Sequence, residues 1–548
     1  MVTTQKLANP QEESPVWHKY CGHLDLSLKE FMAIQEGLLL EELDMIGRSE
    51  VGRKFLGKAR PRSVDEFRER VPLTSYSDYL PLLGERREDV LPQKPRVWCR
   101  TSGRSGFYDA KWVPYSSGMF AAAGRAALTG LIQGGANRKG EVNIKQGDTM
   151  LYTLAPPPYP TGAYVGPSLQ EEFGIRFIPS LEAAERMSFQ ERMATGMRMA
   201  MREGVQLFMG IPPVLLRIAE VISGEAEGPK RRLSAMLHPG FARRMLGGVI
   251  RSKLAGRPLY PRDLWQPKSI LLGGTEGQVY AATIKKYWGR HPMDIYASAE
   301  SGAIGVSNWE PDSMSFFPDQ CFLEFIPEEE VDRSREDQSY MPPTLLLDQV
   351  SPGIYELVIT NFYGGALLRY RMGDLLRIVS THNESLGIAH PQFVFHSRSD
   401  DIMDLGGFAK INERTVVLAL ADAQVPAQDW VAVREFDEEK PRLHLYLEPK
   451  GTQKLNQAEI AESIHASLGK VDHDYKDMED MLRIKTLKVT LVQAGSFMKY
   501  MMEMEASGAD LGHLKPIRMK PRQEQLDKLL SISAGHSLAD WELGKTVT

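Results

Sequence analysis

The sequence has almost no cysteine: three in 548 residues, Cys21, Cys99 and Cys321. They lie far apart, with no Cys-x-x-Cys pair and no Cys/His spacing, which excludes a disulfide framework and a structural zinc centre. Long apolar runs are missing too. The best, Met119 to Ile132, is broken by Arg125, so no membrane-spanning helix is expected. Residues 1 to 15 are polar and carry no apolar signal region, so the expectation is a cytoplasmic protein. There is no excess of positive charge: 66 Lys and Arg stand against 71 Asp and Glu, a formal charge of −5. A nucleic-acid binder, whose footprint is a basic excess, is not expected. No internal repeat or low-complexity tract is present.

What is there is a core and room for more than one domain. Residues of the AVILMFWYC set make up 42% and charged residues 25%, the balance of a globular chain, and 548 residues suit two or more domains. Residues 24 to 56 have helical spacing through Leu24, Leu28, Phe31, Ile34 and Leu38 and predict one long helix or two. Ser63 with Glu66 predicts a capping box opening a short helix before Pro72. Strands are expected at 96–100, 148–154, 174–178, 206–209 and 269–272. Helices are expected at 117–134, from Pro212 through Ile222, and up to Trp288. Short apolar strands alternating with helices predict an α/β architecture with a largely parallel sheet.

After Glu300 the pattern changes. Strands at 322–326, 353–360, 374–379 and 392–395 predict a β-rich subdomain, and the polar stretch 329–341 a mobile loop. Beyond Arg398, strands at 430–433, 442–447 and 485–492 with a helix at 457–468 predict a small α+β domain. The expected division is 1–398 and 399–548.

Five segments carry chemistry. Thr101-Ser102-Gly103-Arg104-Ser105-Gly106, with Lys111 following, has the glycines, hydroxyls and cation of a phosphate cradle. Its alternative is a polar turn between strand and helix, and it is not a Walker A loop. Ile295-Tyr-Ala-Ser-Ala-Glu300 offers an aromatic to stack a base and a carboxylate for Mg2+, or a plain strand-end turn. Leu368-Arg-Tyr-Arg-Met-Gly-Asp374 offers an aspartate for two ribose hydroxyls, or an Arg–Asp pair closing a turn. Arg398-Ser-Asp-Asp401 before Gly406-Gly407 is either a functional junction or a linker. Lys515, in the Gly-rich run Gly508 to Arg518, is either a cation delivered to a site or a surface lysine. The nearby Met498, Met501, Met502 and Met504 read as helix packing.

In order, these segments resemble the acyl-adenylating superfamily, and within it the GH3 branch of acyl-acid amido synthetases. Thr101 to Lys111 with Val113-Pro114 is similar to the phosphate loop, and Tyr296 to Glu300 to the Tyr-Gly/Ala-Ser-Ser-Glu segment. Tyr355-Glu-Leu-Val-Ile-Thr-Asn through Tyr370-Arg-Met-Gly-Asp374 resembles the strand pair with the ribose aspartate. Phe322-Leu-Glu-Phe-Ile-Pro327 resembles a GH3 strand, and Lys515 with Arg518 the C-terminal lysine segment. The likeness spans nearly the whole chain, weakest in residues 1–60 and 410–490.

The resemblance implies a large N-terminal acyl-adenylating domain, with mostly parallel sheets plus a β-rich subdomain, and a small mobile C-terminal α+β domain. It implies that ATP and a carboxylic acid form an acyl-adenylate, from which an amine, an amino acid, takes the acyl group as an amide. Alternatives are a CoA acceptor giving a thioester and a nucleotide-binding relative without catalysis. Implied roles are Thr101, Ser102, Gly103, Arg104, Ser105, Gly106 and Lys111 on phosphate, Tyr296 on adenine and Ser298 near the α-phosphate. Asp374 and Arg398 would hold the ribose, Glu300 Mg2+, and Lys515 would be the catalytic cation. The small domain would rotate about Asp400 or Asp401 between half-reactions.

Three positions depart from the family pattern: Arg104 in place of a small hydroxyl residue, Ala299 in place of Ser or Thr, and Pro516-Ile517 after the lysine, which leaves Lys520 a weaker candidate. The segments 156–162 and 208–212, after two strands, are either acyl-pocket lining or structural turns. Their apolar character points to a hydrophobic acid.

Overall fold

The computed structural model describes residues 14–57, 59–101, 111–225, 238–273, 277–310, 312–337, 339–399, 403–405, 409–437, 440–450, 456–472, 475–476, 486–506 and 518–534. The chain divides into two compact units. The first holds the residues up to Thr101 with 111–372 and 376–395; the second holds 373–375 and the residues from His396 on.

A hairpin of β1 (Val97–Arg100) and β2 (Trp112–Tyr115) precedes the main sheet. The sheet strands are β3 (Thr149–Tyr152), β4 (Arg176–Ile178), β5 (Leu207–Gly210), β6 (Ser269–Gly273), β7 (Met293–Ser298), β8 (Gly302–Ser307), β9 (Met314–Phe316), β10 (Cys321–Pro327), β11 (Gly353–Asn361), β12 (Tyr370–Ser380) and β13 (Gln392–Arg398). Their neighbour order is β10-β11-β12-β13-β9-β8-β7-β6-β5-β3-β4, one eleven-stranded sheet. Strands β4, β3, β5, β6 and β7 run parallel. From β7 to β8, β9 and β13 the pairing is antiparallel. The β-rich stretch after Glu300 is therefore a continuation of the parallel sheet.

The parallel strands are short apolar runs because both faces are covered. Alternate residues enter two different cores. Met150, Tyr152, Leu207, Met209 and Leu271 join Phe120, Ala127 and Leu131 of the helix Ser117–Gly135. Leu151, Phe208, Ile270 and Leu272 join Ala200 of the helix Phe189–Glu203 and Trp288 of the helix Gly277–Trp288. The first helix approaches very closely: a Cβ on Gly130 would stand 3.0 Å from Leu271 and 3.2 Å from Val306.

The N-terminal 24–56 region is two helices, Leu28–Ile46 and Glu50–Leu56. Ser27 and Glu30 close a capping box on the first. Its buried Gln35 serves the sheet-edge strand β10, accepting from Leu323 N at 2.9 Å and donating to Cys321 O at 2.8 Å. A buried amide thus satisfies backbone groups that an edge would leave unpaired. Ser63 caps the helix Val64–Arg70, but Glu66 reaches one residue further back than a capping box requires, to Arg62 N.

The expected loop at 329–341 is largely wrong: Glu328–Glu336 is a helix. Three glutamates in its first turn complement the positive end of the helix dipole, and Val331 anchors it among Ile326, Val358 and Leu73. One apolar residue in nine is too weak a period to read from sequence.

In the second unit, β16 (Ala427–Asp437), β17 (Lys440–Pro449) and β18 (Leu487–Leu491) follow the short pair β14 (Met403–Leu405) and β15 (Ala409–Ile411). β16 pairs antiparallel and β18 parallel with β17, with helices Glu413–Asp422, Gln457–Val471, Ser496–Ala506 and Gln523–Ser533. Within Ser496–Ala506, Met498 and Met502 are exposed, so these two do not pack as expected. All three cysteines are buried and free.

Two histidines sit near the helix Leu28–Ile46: the half-buried His23 against Phe317 and the fully buried His390 against Phe31. Burial, and for His23 also the neighbouring His390, pushes their pKa values down to about 3 and about 4. Both rings are neutral when folded but take up protons below about 6.5 when unfolded. Their contribution to stability is full above pH 6.5 and is lost as pH falls from there towards 4 and then 3. Melting temperature measured against pH should fall over this window, and the fall should be shallower in His390→Leu. Parallel curves for the two proteins would refute the assignment.

Candidate active site

The turn between β7 and β8 carries Glu300. Ser298 Oγ accepts from Glu300 N at 3.2 Å and Ser301 N at 3.1 Å, and is 2.9 Å from Ser301 Oγ. Gly302 closes the turn with φ +69°, a conformation that favours glycine. Tyr115 Oη donates to Ala299 O at 3.0 Å, and Asn361 Nδ2 to Glu300 O at 2.9 Å. Burial raises the Tyr115 pKa well above 10, and that of the stacked Tyr164 as well, so both phenols remain protonated. Cys321 Sγ donates to Ser301 O at 3.3 Å, and burial pushes this thiol up to about 12.

Onto this turn points Lys111, which directly precedes β2. Its Nζ lies 3.2 Å from Glu300 Oε1 and donates to Tyr370 Oη at 2.8 Å. Lys111 and Glu300 are 8% and 9% exposed. The Tyr76 ring stands 5.7 Å from the ammonium, and Tyr76 Oη accepts from Trp112 N at 2.7 Å. Thr101 and Lys111 are tied to each other at the ends of the expected phosphate loop: Thr101 N donates to Lys111 O and Lys111 N to Thr101 Oγ1, each at 2.9 Å. Ser102, Gly103, Arg104, Ser105 and Gly106 lie outside the described residues, as does Lys515.

Tyr296 is buried on β7 against Phe393 and Phe395, with centroids at 6.0 and 5.9 Å. Phe208 is buried against Trp265 and Trp288 and belongs to the core. Of the two readings of 208–212, the structural one fits this residue.

In the second unit, Asp374 and Arg398 pair through Oδ1 and Nη1 at 2.9 Å. Gly373, at φ +70°, accepts Ser399 N at 2.7 Å. Arg518 is held by Asp429 at 3.1 Å and Glu413 at 3.3 Å, while its carbonyl accepts Ala432 N. It therefore anchors the C-terminal end of the lysine segment.

The sequence marks Lys111 and Glu300 in separate segments and assigns no role to Tyr76, Tyr115 or Asn361. Tyr370 and Asn361 stood inside quoted segments, which was the available signal; Tyr76 had none. Among the described residues no group of three or more His, Cys, Asp and Glu could hold a metal by itself, and no helix is long and apolar enough to cross a membrane. Glu300 Oε2 accepts no hydrogen bond from described residues. One open carboxylate oxygen fits an ion that keeps waters and takes its other ligands from phosphate.

Family models described as the GH3 family N-terminal, central and C-terminal domains match residues 21–220, 314–398 and 413–524. Among curated proteins, an indole-3-acetic acid-amido synthetase of Arabidopsis thaliana is 31% identical over 146 residues, 25% of each chain. A jasmonoyl–L-amino acid synthetase of Oryza sativa subsp. japonica is 24% identical over 292 residues, 49% of this chain and 48% of the relative. The alignments thus span a quarter to a half of such relatives. Among solved structures, GH3.15 acyl acid amido synthetase in complex with 2,4-DB has a TM-score of 0.64 at 17% identity, covering 96% of this chain and 97% of the other. A 2-hydroxyisobutyryl-CoA ligase in the postadenylation state reaches 0.60 at 15% identity, with 97% of both chains covered. These structures share the fold.

Removing one partner of the buried pair should leave the other charge stranded. Lys111→Met should lower unfolding free energy by on the order of 3 kcal/mol, and adding Glu300→Gln should restore much of it. Denaturant titration of the single and double variants measures this; strictly additive losses would show that the two groups do not interact.

Proposed function

The chain belongs to the GH3 family, and on that premise we propose that it activates a carboxylic acid as an acyl-adenylate and transfers the acyl group to an amino acid. The observation that carries this reading is the succession of the three GH3 domains along one chain. ATP is the activating substrate, and a hydrophobic acid is the acyl donor.

In the first half-reaction two anions, a carboxylate and the α-phosphate, must meet, so the site has to offset negative charge and hold an in-line geometry. Thr101 and Lys111 anchor the phosphate loop, whose Ser102, Gly103, Arg104, Ser105 and Gly106 supply donors. The Lys111 ammonium, already oriented by Glu300 and Tyr370, offers positive charge without free rotation. Tyr296 supports the adenine, and Asp374 with Arg398 accepts and flanks the ribose. Ser298 spends its oxygen on the turn and acts by holding Glu300 in place. Glu300 would hold Mg2+ through its open oxygen; the ion supplies charge neutralisation for the phosphates. Residues 399–548 form the lid that delivers Lys515 for adenylation and withdraws it before the amine attacks.

A CoA thioester is the second reading, favoured by the full-length likeness to the CoA ligase. ATP–pyrophosphate exchange across a panel of carboxylic acids tests activation. Product analysis with amino acids or CoA separates the acceptors, and a thioester alone would refute the amide. ATP binding without exchange for any acid would favour a relative that does not catalyse. Lys515→Ala should depress exchange by about 100-fold or more, while transfer from a supplied acyl-adenylate stays nearly unchanged. Equal losses in both steps would contradict a lysine that serves only the first.

A further inference from the structure

The helix Pro239–Leu254 is docked by one face only. A Cβ on its Gly248 would meet Leu264 at 2.8 Å and Leu259 at 3.1 Å, so the helix lies close on its neighbours there. Arg244 donates to the carbonyls of Arg202 and Glu203 at 2.6 and 2.7 Å, and Arg251 Nε to Asp263 O at 3.1 Å. The outward face is apolar where it should be polar. Leu246, Ile250 and Leu254, one turn apart, are 65%, 50% and 84% exposed. Leu254 and Leu246 are the two most exposed large apolar side chains among the described residues.

Arg243, Arg251 and Lys253 are exposed around this stripe. Arg243 and Lys253 pair with no carboxylate among the described residues. From His238 through Arg262 the sequence has six Lys and Arg and no Asp or Glu, in a chain whose net charge is −5. An apolar stripe bordered by cations is the pattern of a helix lying in a lipid–water interface.

We propose that this helix is a docking surface for an anionic lipid bilayer. Charge complementarity selects that occupant. A second copy on a two-fold axis would set Arg243, Arg251 and Lys253 against the same cations. A nucleic-acid backbone offers nothing to three projecting aliphatic side chains. A bilayer takes the leucines and isoleucine below its headgroups while anionic phosphates meet the flanking cations. The surface is independent of the proposed reaction.

Flotation of the full chain with phosphatidylcholine vesicles, with and without phosphatidylglycerol, tests this. The protein should float with the anionic vesicles, stay behind with the neutral ones, and be released by salt. The variant Leu246→Ser/Ile250→Ser/Leu254→Ser and the variant Arg243→Glu/Lys253→Glu should each weaken partitioning about tenfold or more, with melting temperatures near that of the parent. Absence of flotation, or flotation equal in all three proteins, would overturn the proposal. So would a concentration-dependent dimer that the triple serine variant abolishes, which would assign the stripe to a second copy. Equally tight capture by polyglutamate, unaffected by the serine variant, would reduce the surface to charge alone and also overturn it.

Discussion

A lysine and a glutamate 189 positions apart, both about nine-tenths buried, share a hydrogen bond at the end of a sheet strand. Taking two charges out of water costs more than their attraction returns unless the geometry is good and the remaining donors and acceptors are served. Here the service is local and comes from separate segments. Tyr370 accepts from the ammonium, Ser298 holds the backbone under the carboxylate, and Tyr115 and Asn361 fix the carbonyls beside it. Each contributor enters from a different strand. The pair therefore forms only when β2, the β7–β8 turn, β11 and the start of β12 have all arrived, and it disfavours any packing in which one of them is displaced.

Topology explains why that point lies where it does. From β4 to β7 the sheet is parallel, and each strand must leave its C-terminal end by a helix-bearing connection. At β7 the chain instead turns straight back into β8. Glu300 occupies that reversal, at the carboxyl end of the last parallel strand, where open α/β sheets leave a crevice. The same reversal lets the antiparallel half continue the sheet, so Asn361 at the end of β11 can reach the turn. One change of strand direction thus produces both the shape of the body and the place where its buried charges meet.

Elements whose residues face a covered environment were legible from sequence. β3, β5 and β6 are apolar runs bounded by Gly, Pro or polar residues, and their positions follow from that alone. β8, Gly302-Ala-Ile-Gly-Val-Ser307, was not read as a strand, because small residues carry little strand preference. Its state is set by pairing with β7 and by the room Gly305 leaves: a Cβ there would stand 2.7 Å from the Phe393 ring. The Met- and Arg-rich helix Phe189–Glu203 likewise gives no clear signal in the sequence. Lys111 and Glu300 each looked chemical in their own segments, but that they meet is a tertiary fact. Tyr76, Tyr115 and Asn361 act through single polar atoms, and one atom's hydrogen bond leaves no period in a sequence.

The net charge of −5 hides opposite uses of cations in this chain. Lys111 is buried and matched by Glu300, so its field is largely local and its value lies in fixed position. Arg243 and Lys253 are exposed beside an apolar stripe, where their value lies in being unmatched. Water and salt screen the exposed cations over about 8 Å at physiological salt, whereas a buried pair is screened much less. Overall charge is silent about either use; which cations have an anion beside them is what distinguishes a site from a surface.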